Sequence, residues 1–170
     1  MATPLLDKIR YRSTPHQPII GVDQTVTRRG ASMREGGCLC GAVRYRVEGE
    51  PQSSGLCHCE TCRRTASAPT LPFVVFPADR FTITKGRPAE FHSSPHVTRS
   101  FCGQCGSPLT YSRANGPDTI DVMTCSLDAP DELPPTHHVW VSDKLAWDRI
   151  ADDLPTHATT READGDAHGS

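Results

Sequence analysis

Seven of the chain's eight cysteines fall into three short clusters, and these carry most of the chemistry the sequence offers. The first is Cys38-Leu39-Cys40, followed by Gly41. The second is Cys57-His58-Cys59-Glu60-Thr61-Cys62, and the third is Cys102-Gly103-Gln104-Cys105, followed by Gly106. With one or two residues between thiols, a turn sets two sulfurs a tetrahedral edge apart. A glycine after the pair lets backbone N–H groups face sulfur without a Cβ in the way. Cys-x-Cys neighbours bridge poorly, and no charged-then-apolar N-terminus reads as a secretory signal, so metal ligation is expected over a disulfide framework. All-sulfur tetrahedral sites favour zinc or iron–sulfur, with zinc leading.

Seven ligands divide as four plus three. The pairs Cys38/Cys40 and Cys102/Cys105 together make a closed all-cysteine site. Cys57, Cys59 and Cys62 make a three-ligand site. Four protein ligands is the arrangement of a structural zinc, and three with one open position that of a catalytic one. Two zinc ions are therefore expected, one structural and one labile or catalytic. His58, between two ligands, is expected to point outward; a fourth ligand or a proton shuttle are the other roles open to it. Cys125 is expected to be an inert core thiol on a strand. His137 and His138 read as the start of a strand, and Trp140 and Trp147 as core or rim aromatics.

These clusters need short elements to position them. Ala42–Val47 alternates, with Val43, Tyr45 and Val47 on one face, and reads as a half-buried strand. Cys59–Ala66 reads as a short helical turn. Leu71–Phe76 reads as a strand, placed at a sheet edge because it contains Pro72. Phe81–Thr84, Glu90–His92, Val97–Phe101, Leu109–Tyr111, Ile120–Thr124 and His138–Val141 supply further strands. Ser93-Ser94-Pro95 and Asn115-Gly116-Pro117-Asp118 are expected turns, and Lys144–Ile150 a turn or short helix. Many short strands separated by turns imply a mostly-β fold.

At 170 residues this is one domain with tails. The expected division is a loosely ordered extension over 1–35, a zinc domain over 36–155 and a polar tail over 156–170. A segment around Ile19–Val22 is a candidate to touch the domain. Only 36% of residues are hydrophobic and mean hydropathy is −0.46, so the core is modest and a metal framework would compensate. A net charge of −2 and a pI near 6.4 argue against a nucleic-acid binder working by broad electrostatics. No apolar run approaches a membrane span, and Arg28-Arg29 precedes no apolar stretch. Reduced thiols and no export signal point to the cytoplasm.

The stretches GGCLCGAVRY, CHCETCRR, FxITKGxPxxF and RSFCGQCGSPLTY, with the later SLDxP, His138 and Lys144-Leu145-Ala146-Trp147, run in order over about residues 36–155. With them the chain resembles the glutathione-dependent formaldehyde-activating enzyme family, which also includes centromere protein V. The resemblance implies a β-tent fold of small antiparallel sheets stapled by zinc. It also implies a structural zinc on Cys38, Cys40, Cys102 and Cys105 and a second on Cys57, Cys59 and Cys62, in agreement with the count from spacing. One departure stands after the second cluster. The family usually carries a glycine there, whereas this chain has Thr65-Ala66-Ser67-Ala68.

A zinc held by three thiolates is a weak Lewis acid but a good seat for an incoming thiol. The expected activity is that of a carbon–sulfur lyase resembling an S-hydroxymethylglutathione synthase. A small thiol such as glutathione is activated at Cys57, Cys59 and Cys62 and adds to a small aldehyde. Arg63 or Arg64 would pair with the thiol ligand's carboxylates; a solvated basic face is the alternative. The competing function is a non-catalytic zinc-stabilised binding module, since fold does not fix function. The feature separating the two is whether His58 or Cys125 closes the second site.

Overall fold

The alternating stretches become strands wherever one face can be buried. In the computed structural model, which describes residues 32–161, these are β1 (Met33–Gly37), β2 (Arg44–Glu48), β3 (Ser53–Cys57), β4 (Leu71–Pro77), β5 (Phe81–Lys85), β6 (Ala89–Ser94), β7 (Val97–Phe101), β8 (Pro108–Arg113), β9 (Thr119–Met123) and β10 (His138–Val139). One α-helix occurs among the described residues, α1 (Glu60–Ala66). The fold is mostly β, as composition and turn spacing require.

The strands form two sheets. The smaller is antiparallel, in the order β1-β2-β5. The larger has seven strands in the order β10-β3-β4-β9-β8-β7-β6. It is antiparallel throughout except for the β10–β3 pair, which is parallel. Tyr45 and Val47 from the small sheet share one core with Val74, Phe76, Leu109 and Val122 from the large one, and all six are fully buried. The Tyr45 hydroxyl stays satisfied there, 2.7 Å from Ser126 Oγ. The close fit is visible at Gly36, where a Cβ would stand 2.3 Å from that hydroxyl.

Several expectations are corrected. β4 is not an edge strand, because it lies between β3 and β9. Pro72 is tolerated because Leu56, opposite it on β3, sends its N–H away to the His137 carbonyl, so the two form a pair without mutual hydrogen bonds. Pro72's own nitrogen therefore faces β9, whose pairing has already ended at Phe73–Met123. β3 itself was unexpected, because Ser53-Ser54-Gly55 has no alternating apolar pattern. It is held by pairing on both sides, and a Cβ at Gly55 would stand 2.8 Å from His137 Nε2. The Ser93-Ser94 pair extends β6, and the turn falls at Pro95-His96. The strand at His138 stops after Val139, because Trp140 takes a left-handed backbone, φ 59°, and Val141–Asp143 is a 3-10 turn. Of the two forms expected for Lys144–Ile150, the turn occurs, at Ala146-Trp147.

The structured chain also starts earlier and runs later than the motif boundaries. Residues 33–35 belong to β1. Residues 155–159 hydrogen-bond alongside β10, with His157 N–H on the His138 carbonyl at 2.9 Å and Trp140 N–H on the Thr159 carbonyl at 2.8 Å. The Ile19–Val22 segment, the rest of the N-terminal extension and residues 162–170 lie outside the described residues. Among the described residues no helix is long and apolar enough to cross a membrane.

Candidate metal centres

The first cluster joins the two sheets. Cys38 and Cys40 follow β1, while Cys102 and Cys105 sit in the turn between β7 and β8. All four sulfurs lie within 4.8 Å of one another. Cys38 Sγ is 3.5 Å from Cys40 Sγ, which is 3.7 Å from Cys102 Sγ. A disulfide would need ~2.05 Å. A tetrahedron with metal–sulfur bonds of ~2.3 Å has edges of ~3.8 Å, so the donor set fits a thiolate-bound metal. Val43 N–H points at Cys38 Sγ (3.2 Å) and Gln104 N–H at Cys102 Sγ (3.4 Å), which stabilises charge on those sulfurs. Gly41 (φ 72°) and Gly106 (φ 76°) take the left-handed turns that aim these groups. Hydrogen bonds from Ser107 pull the Cys105 thiol down to about 5.

The second cluster is built from one loop. Cys57 ends β3 and is buried; Cys59 is the N-cap of α1; Cys62 lies in the helix's first turn. Cys59 Sγ accepts the Cys62 N–H at 3.4 Å and lies 3.3 Å from Thr61 Oγ1. The three sulfurs lie within 4.8 Å of one another, and among the described residues no other His, Cys, Asp or Glu joins them. Cys59 is the thiol held lowest, through hydrogen bonds with Cys57 and then Cys62, while the same sharing pushes Cys57 up. The group thus behaves as one proton-sharing donor set that could hold a metal ion.

His58 does not point outward. With Cys57 and Cys59 on one side of an extended segment, the residue between them faces the other side, where β10 and the turn around Asp148 lie rather than solvent. His58 is 1% exposed. Its Nε2 is 2.8 Å from His138 Nδ1, and His138 Nε2 reaches both Asp152 carboxylate oxygens at 3.1 and 3.2 Å. Asp148 Oδ2 stands 3.5 Å from His58 Nδ1. Burial, then repulsion from His138, lowers the His58 pKa. His137, also buried, packs on Phe73 and His157. Cys125 is neither on a strand nor in the core, because it lies exposed in the 3-10 turn Thr124–Ser126. Neither His58 nor Cys125 therefore closes the three-sulfur group. Trp140 is half-buried and Trp147, 69% exposed, is a surface aromatic.

The two arginines after the cluster are engaged locally. Arg63 donates from Nε to the His58 carbonyl (3.0 Å) and from Nη2 to the Asp143 carbonyl (3.1 Å). Arg64 pairs with Glu60 one turn earlier at 2.8 Å and is largely exposed. The basic side chain that reaches a sulfur is Arg99 on β7, whose Nη2 lies 4.0 Å from Cys62 Sγ and 3.3 Å from Thr61 Oγ1. The position that sequence reasoning missed is this one. Its signal was a charged residue on the alternating face of a strand leading into a cysteine pair. Arg99, Thr65, Phe91, Phe101, Pro108 and Met123 contribute to the wall of a 280 Å³ cleft beside α1.

Comparison with known proteins agrees with this arrangement. The family model described as glutathione-dependent formaldehyde-activating enzyme matches residues 33–143. A Schizosaccharomyces pombe protein named "Uncharacterized lyase" is 30% identical over 113 residues, covering 57% of this chain and 81% of its own. A Halomonas elongata protein named "Putative glutathione-dependent formaldehyde-activating enzyme" is 30% identical over 127 residues, covering 68% and 80% respectively. A crystal structure of a Rhodobacter sphaeroides protein superposes with a TM-score of 0.51 at 21% identity, covering 62% of this chain and 99% of that one, and so shares the fold. With both cysteine clusters inside the matched stretch, the chain belongs to the glutathione-dependent formaldehyde-activating enzyme family.

Proposed function

We infer that this protein is a carbon–sulfur lyase that joins a small thiol such as glutathione to a small aldehyde such as formaldehyde and cleaves the adduct in reverse. The observation that carries the reading is the contrast between the clusters. One has four sulfurs and is closed. The other has three, with neither His58 nor Cys125 as a fourth donor.

Cys38, Cys40, Cys102 and Cys105 would hold a structural zinc that fastens the two sheets. Cys57, Cys59 and Cys62 would hold a second zinc that supplies a soft fourth position for a thiol sulfur. In the forward direction the thiolate sulfur attacks the carbonyl carbon, a carbon–sulfur bond forms, and the carbonyl electron pair takes up a proton to give an S-hydroxyalkyl product. In reverse the hydroxyl loses that proton, the carbonyl reforms and the sulfur leaves with the bonding pair. Arg63 and Arg64 border the cluster and would meet the carboxylates of a glutathione-like thiol. Arg63 would do so through Nη1, since its Nε and Nη2 already hold the His58 and Asp143 carbonyls.

The test is to load the protein with cobalt and titrate glutathione while following the thiolate charge-transfer band. A change present in the wild type and Cys125→Ser but absent in Cys59→Ser is expected. No change with glutathione or any other small thiol would make the protein a metal-stabilised binding module instead.

A further inference from the structure

Arg99 is a buried cation with no carboxylate in ion-pair contact; the nearest acid on its cross-strand row, beyond Tyr111, is Asp121, whose carboxyl it helps to pull down. Arg99 is 7% exposed, with its guanidinium 4.9 Å from the Tyr111 ring centroid. Its Nε donates to Ser93 Oγ at 3.3 Å and its Nη2 to Thr61 Oγ1 at 3.3 Å, both neutral groups. Its Nη1 is buried with no hydrogen-bond partner. Among the described residues no Asp or Glu lies within ion-pair distance of it. Burying a guanidinium this way is costly unless a negative charge stands close by, and an aromatic face and two hydroxyls offset only part of that cost. The contact able to carry charge is Cys62 Sγ, 4.0 Å from Nη2. Three thiolates on a divalent ion leave one net negative charge, and a fourth thiolate leaves two. Among the described residues the four-cysteine cluster has no such cation on its sulfurs; its contacts are backbone N–H groups, Ser107 and the cysteines themselves.

We propose that Arg99 is the positioning residue that sets ligand specificity at the three-cysteine centre: its guanidinium balances the negative charge of the loaded centre and so favours an anionic sulfur over a neutral donor in the fourth position. The proposal rests on reading Cys57, Cys59 and Cys62 as a metal site open to a thiol. It assigns the charge selection to β7, far along the chain from the cysteine loop, rather than to the arginines that follow that loop.

The experiment uses the full chain loaded with cobalt(II), with 2-mercaptoethanol as the anionic-sulfur probe and imidazole as the neutral one. Arg99→Gln should weaken 2-mercaptoethanol binding by about tenfold, the scale of one charge-assisted contact, and leave imidazole binding nearly unchanged. Arg99→Lys should recover most of the thiol affinity. A chelator should also strip the three-cysteine centre faster in Arg99→Gln, with the four-cysteine centre released as in the wild type. Equal losses for both probes, or no loss for either, would overturn the proposal. If the wild type binds no thiol, the lyase reading fails while the chelator arm still decides Arg99, where unchanged release rates would sink it. If Arg99→Gln does not fold, the lysine variant decides, and a folded lysine variant without thiol-over-imidazole preference would refute charge balance.

Discussion

His58 Nε2 lies 2.8 Å from His138 Nδ1, joining residues eighty positions apart in the chain. The contact crosses the parallel pairing of β3 and β10, so it fixes the back of the Cys57–Cys62 loop to the only parallel edge among the described strands. Both rings are buried, so removing one leaves a cavity and an unpartnered ring nitrogen on the other. His138→Ala should cost about 2–4 kcal/mol. Thermal unfolding should show a lower Tm, and metal should leave the three-cysteine cluster faster. An unchanged Tm with unchanged metal release would mean that the loop is held elsewhere.

Cys102→Ser should remove the folded state rather than an activity. Cys102 is 1% exposed and its cluster links strands of both sheets. A structural thiolate–metal site can contribute on the order of 10 kcal/mol to folding. Circular dichroism and size-exclusion chromatography should show unfolded or aggregated protein. A soluble variant with wild-type metal content would refute the structural assignment.

Cys59→Ser should behave in the opposite way. Cys59 is a helix N-cap whose sulfur accepts one N–H, and a serine oxygen can take over that contact. The variant should stay folded, keep metal on the four-cysteine cluster and lose it from the other. Metal analysis on the purified variant checks this, with one ion per chain expected if the two clusters load independently.

Asp121 offers a pH dependence that does not involve the cysteines. Burial pushes its carboxyl up to about 7, with Arg113 and then Arg99 pulling the other way. A raised carboxyl binds its proton more tightly in the folded chain, so stability falls as pH rises from 3.8 to about 7. Asp121→Asn should flatten that slope and gain up to about 4 kcal/mol at pH 8, with little change at pH 3. Melting curves across that range would show it, and parallel curves for both proteins would contradict it.

Ser67 closes α1 in a left-handed conformation, φ 50° and ψ 41°. The side chain is exposed and the cap hydrogen bond is made by its backbone N–H to the Arg63 carbonyl. Glycine keeps that bond and removes the Cβ strain. Ser67→Gly should stabilise by about 0.5–1 kcal/mol, a rise of about 1–4 °C in Tm for a chain this size.

Much of this molecule was legible because its signals are local. Cysteine spacing announced both clusters, and alternation announced β2 and β5. What stayed hidden depends on partners distant in sequence. β3 has no strand pattern of its own and exists because β4 and β10 flank it. Pro72 looked like an edge residue because sequence cannot say where a neighbouring strand stops. His58 could be placed opposite the two cysteines by period alone, but not on which side the solvent lay. Cys125 sat in an apolar run whose last residues bend into an exposed 3-10 turn. Arg99 needed the β7–α1 packing, which no local pattern records.

The sulfur clamp across the two sheets also sets an order of events during synthesis. Cys40 emerges 62 residues before Cys102, its neighbour in space. At ~5–20 residues per second that is an interval of roughly 3–12 s. Throughout it β1 and β2 can pair locally, while their core partners Leu109 and Val122 do not yet exist. Two thiols meanwhile stand open to oxidants and to exchange with other metal carriers. With the proposed structural metal on these four sulfurs, a chain that met no metal in this interval would have its small sheet paired and its large sheet unfastened.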